Sequence, residues 1–294
     1  MSTIKSYSVG NGDMFYIDHN SDNFTIIDCC LPYDRQGEIL HDLANLCDQK
    51  GVNRFISTHP DDDHIRGLEH LDRRIGIQNF YCVENAATKR DTTASFDRYC
   101  ELRDSDKAFL IKKDCTRRWM NQESKERGSS GINILWPDTN NKHYKNALKM
   151  AENGGSANNI STVIKYSLNS GATVLWMGDL ETDFMKAVES DLFLPQVDIL
   201  FAPHHGRDSG KIPEKILQQL SPKIIVVGEA PSEHLNYYEG YNTITQNSAG
   251  DIIFECEVGK VHVFTSNDYS VGFLCNESQN RNNWYYLGTL DLEP

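Results

Sequence analysis

The sequence predicts an α/β sandwich. Three observations carry that expectation: the chain opens on three strand-like segments in succession, its later strands alternate with helical stretches, and the strands fall into two sheet-like halves. At 294 residues, 39% hydrophobic and 24% charged, the chain suffices for one large core with embellishments or for two ordinary domains. The most loop-like passage, Glu152–Asn159, leads into a strand and does not separate two balanced halves. A single domain over 1–294 is therefore expected.

Apolar alternation marks Ile4–Val9, Met14–Asp18 and Phe24–Asp28 as an antiparallel meander. Ile39, Leu40, Leu43 and Leu46 share one face at helical spacing, which predicts a helix over Gly37–Leu46. Arg54–Thr58 reads as a short buried strand running into a polar stretch, and Asn79–Val83 as another strand. The segment Glu84–Ser130 is polar and charged, with apolar residues at irregular helical spacing, and reads as a mostly helical insertion. Strands resume at Ile132–Trp136, Thr162–Leu168 and Thr173–Met177. A helix near Thr182–Glu189, a strand at Val197–Phe201, a helix at Pro213–Leu220 and a strand at Lys223–Val227 follow. Shorter strands run from Ile252 to Leu287, those after about Asp268 being additions to the main pattern.

Composition narrows the function. With 29 Lys and Arg against 42 Asp and Glu, the net charge is −13, which argues against nonspecific tracking along nucleic acid by a basic stripe. It leaves room for a local site at which metal ions supply the positive charge. The longest apolar stretches, such as Ala172–Met177 and Ile224–Val227, are strand-length and far short of the roughly 20 residues of a membrane span. The first ten residues carry no hydrophobic leader core. None of the eight cysteines forms a CxxC pair, so reduced thiols in a cytoplasmic protein without membrane contact are expected.

Three strand ends deliver chemistry. The first is Thr58-His59-Pro60-Asp61-Asp62-Asp63-His64, where His59, Asp61, Asp63 and His64 offer a mixed nitrogen and oxygen donor set suited to Zn²⁺ or Mn²⁺. A solvated acidic turn or a helix N-cap accounts for the same residues without a metal. The second is Met177-Gly178-Asp179, an apolar strand ending in one carboxylate; a plain turn is the alternative. The third is Ala202-Pro203-His204-His205-Gly206, whose paired histidines divide naturally into one metal ligand and one acid or phosphate contact.

In this order the three ends resemble the metallo-beta-lactamase superfamily, in particular the hydrolase domain of ComEC-type DNA-uptake proteins. The similarity extends to Val9-Gly10-Asn11-Gly12-Asp13, Ile27-Asp28, His64-Ile65-Arg66-Gly67-Leu68, Asn158-Asn159-Ile160-Ser161, Gly178-Asp179-Leu180-Glu181 and Lys223–Gly228. It implies an αββα four-layer sandwich and a site for two divalent ions, Zn²⁺ or Mn²⁺. His59 and Asp61 would hold one ion, Asp63, His64 and His205 the other, and Asp179 would bridge them. Asp28 and Asp13 would orient ligands, although a turn-capping role for Asp13 is equally compatible. The catalytic set would be Asp63, Asp179 and His204, with His204 contacting phosphate or protonating the leaving group. His234 stands where related proteins place a further histidine.

The chain departs from the pattern in four places, one of them Arg66, where a small residue is usual after His64-Ile65. Asp61 stands where many members have histidine, and the third-motif histidine is replaced by the Asn158–Asn159 region, so the first ion would be weakly held, left with an open position, or completed by Asn158 and water. Arg207 replaces the usual serine after His-His-Gly and would clamp a phosphate. The implied reaction is phosphodiester hydrolysis by a metal-activated water, with nucleic acid as substrate. The alternatives are a small phosphodiester of nucleotide or phosphocholine type, or a metal-stabilised binding or effector subunit. A protein partner would dock on the 84–130 insertion.

Overall fold

The computed structural model describes residues 1–229 and 236–292. Its first sheet is built from β1 (Ser2–Ser6), β2 (Phe15–Asp18), β3 (Asn23–Ile27), β4 (Val52–Ile56), β5 (Asn79–Val83) and β6 (Ala108–Ile111). The second comprises β7 (Ile132–Trp136), β8 (Val163–Ser167), β9 (Thr173–Trp176), β10 (Ile199–Phe201), β11 (Ile224–Val227) and β12 (Thr243–Thr245). The chain then returns to the first sheet with β13 (Ile252–Glu257), β14 (Lys260–Thr265) and β15 (Tyr285–Asp291). The strand orders are β15-β14-β13-β1-β2-β3-β4-β5-β6 and β12-β11-β10-β9-β8-β7.

Period-two alternation assigns each side chain of the first sheet to a layer. Phe15, Ile17, Ile27, Ile56, Tyr81 and Val83 point between the sheets, where Phe15 meets Phe201 and Phe201 stacks on Trp176 at centroid distances of 4.8 and 5.2 Å. Tyr16, Phe24, Ile26, Phe55, Phe80 and Cys82 point outward. Helices α1 (Gln36–Cys47), α3 (Leu68–Ile75) and α4 (Ala94–Arg103) cover that outer face with Ile39, Leu43, Leu68, Leu71, Phe96 and Tyr99. Apolar residues of α5 (Lys142–Glu152), α6 (Thr182–Val188) and α7 (Glu214–Leu220), among them Tyr144, Met185 and Leu220, join the cluster built on the second sheet. The result is the four-layer α/β sandwich that the sequence predicts.

Strand direction decides where chemistry collects. From β3 to β6 the first sheet is parallel, as is the second from β9 to β12. The carboxyl ends of β3, β4, β9 and β10 lead into the polar motifs, and the start of antiparallel β2 lies beside the end of β3. Strand ends of this kind form the crevice in which α/β sheets bind ligands.

The segment 84–130 differs from the expectation of a mostly helical insertion. It holds one ten-residue helix, α4, and then β6, which pairs in parallel with β5 as the edge of the first sheet. In the irregular remainder, the Trp119 carbonyl and the Ser130 hydroxyl are tied to one buried side chain. Arg54, 1% exposed, donates to Thr25 Oγ1 (2.9 Å), Ser130 Oγ (3.2 Å) and the Trp119 carbonyl (2.9 Å). Elsewhere β1 stops at Ser6, short of Val9: after Tyr7 N, which still donates to the Met14 carbonyl (3.0 Å), Ser8 N donates to Asp251 (2.7 Å) and Gly10 N to Glu229 (3.0 Å). Helices α3 and α5 and strand β12 add to the elements read from the sequence. Among the described residues no helix is long and apolar enough to cross a membrane.

Arg54→Ala should lower stability by about 2–4 kcal/mol, from the volume lost and the oxygens left unpaired. Denaturant unfolding measures this. Amides of residues 117–131 should exchange faster, and unchanged exchange there would show that Arg54 does not pin the segment.

Candidate metal centre

Asp28 follows β3 with a left-handed φ of 56° that turns its carboxylate inward. It accepts from Thr58 N (2.7 Å) and Thr58 Oγ1 (2.6 Å), and its Oδ2 lies 2.8 Å from His64 Nδ1. An ionised carboxylate only accepts, so His64 carries its proton on Nδ1 and turns Nε2 inward. The Thr58 hydroxyl proton is committed to Asp28, so its oxygen accepts from His59 Nδ1 at 3.1 Å. His59 likewise presents Nε2, 3.7 Å from Asp61 Oδ2 and 3.9 Å from Asp179 Oδ2. Short helix α2 (Asp62–Ile65) begins between these two histidines and sets His64 back beneath His59.

Asp179 arrives from β9. Gly178 before it has φ 52°, and a β-carbon there would stand 2.7 Å from Ser161 Oγ and 3.0 Å from Thr58 Cβ, so only glycine lets the two sheets close. Asp179 is 2% exposed, and its backbone N–H donates to Ser161 Oγ. Its Oδ1 lies 3.0 Å from His64 Nε2, and its Oδ2 is 3.6 Å from both His204 Nε2 and His205 Nε2. Adjacent residues at a strand end ordinarily point apart. Here φ values of 54° and 57° fold His204 and His205 into a tight left-handed turn that aims both rings at Asp179. The sequence reading sent only His205 to the metal, and no glycine marks either position.

Other site residues divide clearly. Asp13 Oδ1 accepts from His205 Nδ1 at 3.0 Å, leaving His205 Nε2 facing Asp63 Oδ2 at 3.4 Å. Arg207 donates to Asn11 Oδ1, and Asn11 in turn donates to Asp63 Oδ2 at 3.3 Å. Asn158 is drawn away from the role of completing a shell: its amide donates to Glu181 Oε1 (3.3 Å), while Asn159 donates to Glu181 Oε2 (2.7 Å). His234 lies outside the described residues. Sequence reasoning missed Lys89, which reaches Asp61 and Asp62, and Thr58 and Ser161, which hold the ligands in place. Nothing in their local sequence distinguishes them from surface polar residues.

The donor set fits a metal. His59 Nε2 is buried without a hydrogen-bond partner, and the buried His64 Nε2 and His205 Nε2 face carboxylate oxygens of Asp179 at 3.0 Å and of Asp63 at 3.4 Å. Such atoms are costly unless something fills the space between them. Asp13, His64, Asp179 and His205 each place one ligand atom within 4.8 Å of the others. Imidazole with carboxylate is a donor set for Zn²⁺ and related divalent ions.

Residues 7–121 match the metallo-beta-lactamase superfamily. The two-sheet α/β architecture is consistent with the metallo-beta-lactamase fold. The matched stretch includes Asp13, Asp28 and the His59–His64 motif; Asp179, His204 and His205 lie beyond it and are joined to it by the fold. No curated protein matches the chain. The metallo-beta-lactamase match and the Asp/His cluster together point to a metal-dependent hydrolase.

Electrostatics sets the proton inventory of the metal-free site. Burial disfavours charge on His64, but Asp179 and Asp28 outweigh it and hold the imidazolium well above the ordinary range. Burial opposes charge on His205 too, and Asp13 and Asp179 nonetheless push it up to about 10. His59 is lowered, by burial first and then by charge on His64. Burial would raise Asp179, yet His64 and His205 keep it well below the carboxylate range.

His205 titrates at 6.5 when unfolded and at about 10 when folded, so its contribution to metal-free stability is complete below pH 6.5 and is lost as pH rises through 10. In chelator, the urea midpoint should therefore fall between pH 7 and pH 10. Divalent-ion uptake at pH 7.5 should release protons, since a ligating nitrogen must shed its own. Calorimetry in buffers of different ionisation enthalpy reads that release, and its absence would remove His64 and His205 from the ligand set.

Proposed function

We propose that the protein hydrolyses phosphodiesters at this site, with nucleic acid as the substrate class. The observation that carries the reading is the convergence of three buried imidazole nitrogens, of His59, His64 and His205, on the Asp179 carboxylate beside a partly exposed histidine and arginine. His59 and Asp61 on one side, Asp63, His64 and His205 on the other, and Asp179 between them would hold Zn²⁺ or Mn²⁺. Such ions would supply Lewis-acid polarisation of a phosphoryl oxygen and activation of a water.

The chain's own residues supply orientation and proton handling. Asp28 and Asp13 fix the tautomers of His64 and His205, so that each offers a lone pair inward. Arg207, braced on Asn11 beside Asp63, presents a planar guanidinium to a phosphate and offsets the local negative charge. His204 is 12% exposed, with Nδ1 2.9 Å from Ser209 Oγ and Nε2 toward the centre, where it can carry a proton to a leaving alkoxide.

Protein reconstituted with Zn²⁺ or Mn²⁺ should cleave bis-p-nitrophenyl phosphate, and a parallel panel of single-stranded DNA, duplex DNA, RNA and cyclic nucleotides should identify the preferred diester. Asp179→Ala should lower both ion occupancy and turnover. His204→Ala should keep the ions and lower kcat by about 10²–10⁴-fold. An ion-loaded protein inactive on every diester of the panel would overturn the reading.

A further inference from the structure

Lys89 is the cation nearest the His59–Asp61 side of the centre. Its Nζ lies 3.4 Å from Asp61 Oδ1 and 3.3 Å from Asp62 Oδ1. The lysine and Asp61 side chains are only 21% and 27% exposed, so the pair is sheltered from full solvent screening. The loop that carries it is fixed at both ends. Thr88 donates from its amide and its hydroxyl to the Ala151 and Glu152 carbonyls (3.1 and 2.8 Å). Thr93 caps α4 by accepting from Phe96 N. Lys89 itself passes over the Phe96 ring at 5.4 Å.

The other side of the centre has no such rival. Among the described residues, the ion pairs of Asp13, Asp63 and Asp179 are all with histidines, which can give up a proton to a metal and remain as ligands. An ammonium cannot ligate while charged. It must leave Asp61 before a divalent ion can take that carboxylate, and the two cations repel at this range.

We infer that Lys89 is a built-in competitor for the position between His59 and Asp61, so that the centre binds two ions with unequal affinity. The inference rests on the metal reading proposed above. One ion fills the His64, Asp179 and His205 side first, and the second enters only by displacing the ammonium. The loop at the start of the 84–130 segment thereby sets the ion concentration at which the centre becomes dinuclear.

Mn²⁺ titration of the full chain, followed by the paramagnetic resonance of free Mn²⁺, tests this. The wild-type protein should show one tight ion and a second at least about tenfold weaker. Lys89→Met keeps an unbranched apolar side chain at this position and removes the charge, and should tighten the second ion by about tenfold without altering the first. Lys89→Arg should keep the wild-type pattern, and Asp61→Asn added to Lys89→Met should abolish the gain. Unchanged thermal unfolding in chelator shows that the variants fold. Two equally tight ions in the wild type, or a second ion unaltered or absent in Lys89→Met, overturn the role of the lysine alone. Failure of either protein to bind Mn²⁺ overturns the metal reading with it.

Discussion

A buried carboxylate among imidazoles is the constraint on which this architecture turns. Asp179 sits in the seam between two sheets, where an isolated charge would cost several kcal/mol. Its compensation is arranged in a line: Asp28, His64, Asp179, His205 and Asp13 alternate in sign, with successive nitrogen to oxygen separations of 2.8, 3.0, 3.6 and 3.0 Å. Those five residues come from the ends of β3, β9 and β10, the helix after β4 and the turn before β2. The line therefore joins both sheets by electrostatics at the same edge where Phe15, Trp176 and Phe201 join them by packing.

Alternation also explains why the outer carboxylates matter. Without Asp28 and Asp13, either ring nitrogen of His64 or His205 would be free to carry the proton, and the inward lone pairs would be a matter of chance. With them, each ring is fixed in tautomer and in rotation. Backbone strain is the complementary cost. Asp28, His204 and His205 all adopt left-handed φ without being glycine, a conformation that persists only where the surroundings over-determine it. These three lie in the centre; the other seven non-glycine residues of positive φ among the described residues, such as Asn20 and Ser221, lie outside it.

Much of this was legible in the sequence, and what was not had physical reasons. Strand ends are visible because a short apolar run stops abruptly at polar residues, which is why His59–His64, Gly178–Asp179 and His204–His205 stand out. The part that Asp13 plays was ambiguous because an aspartate after a glycine turn serves equally well as a local cap; only the distance to His205 separates the two. The joint inward turn of His204 and His205 had no local signal, since the strain is imposed by packing. Asn158 looked available for a metal because its partner, Glu181, lies 23 residues away in sequence. The segment after Glu84 misled for a related reason. Its order comes from the edge of a sheet and from Arg54, 30 or more residues upstream, and neither leaves a periodic trace.

The similarity to known proteins and the geometry contribute different halves of the conclusion. The matched residues end at 121, so they account for one wall of the centre, and the opposing wall of Asp179, His204 and His205 rests on the fold alone. That the two walls complement each other, imidazole nitrogens against carboxylate oxygens, is what makes the centre more than a cluster of polar residues. The net charge of −13 then acquires a local meaning. An acidic protein draws divalent cations from solution toward its surface. A metal centre in such a field would fill the more readily, and a lysine held over one of its carboxylates would oppose that pull at one position and not at the other.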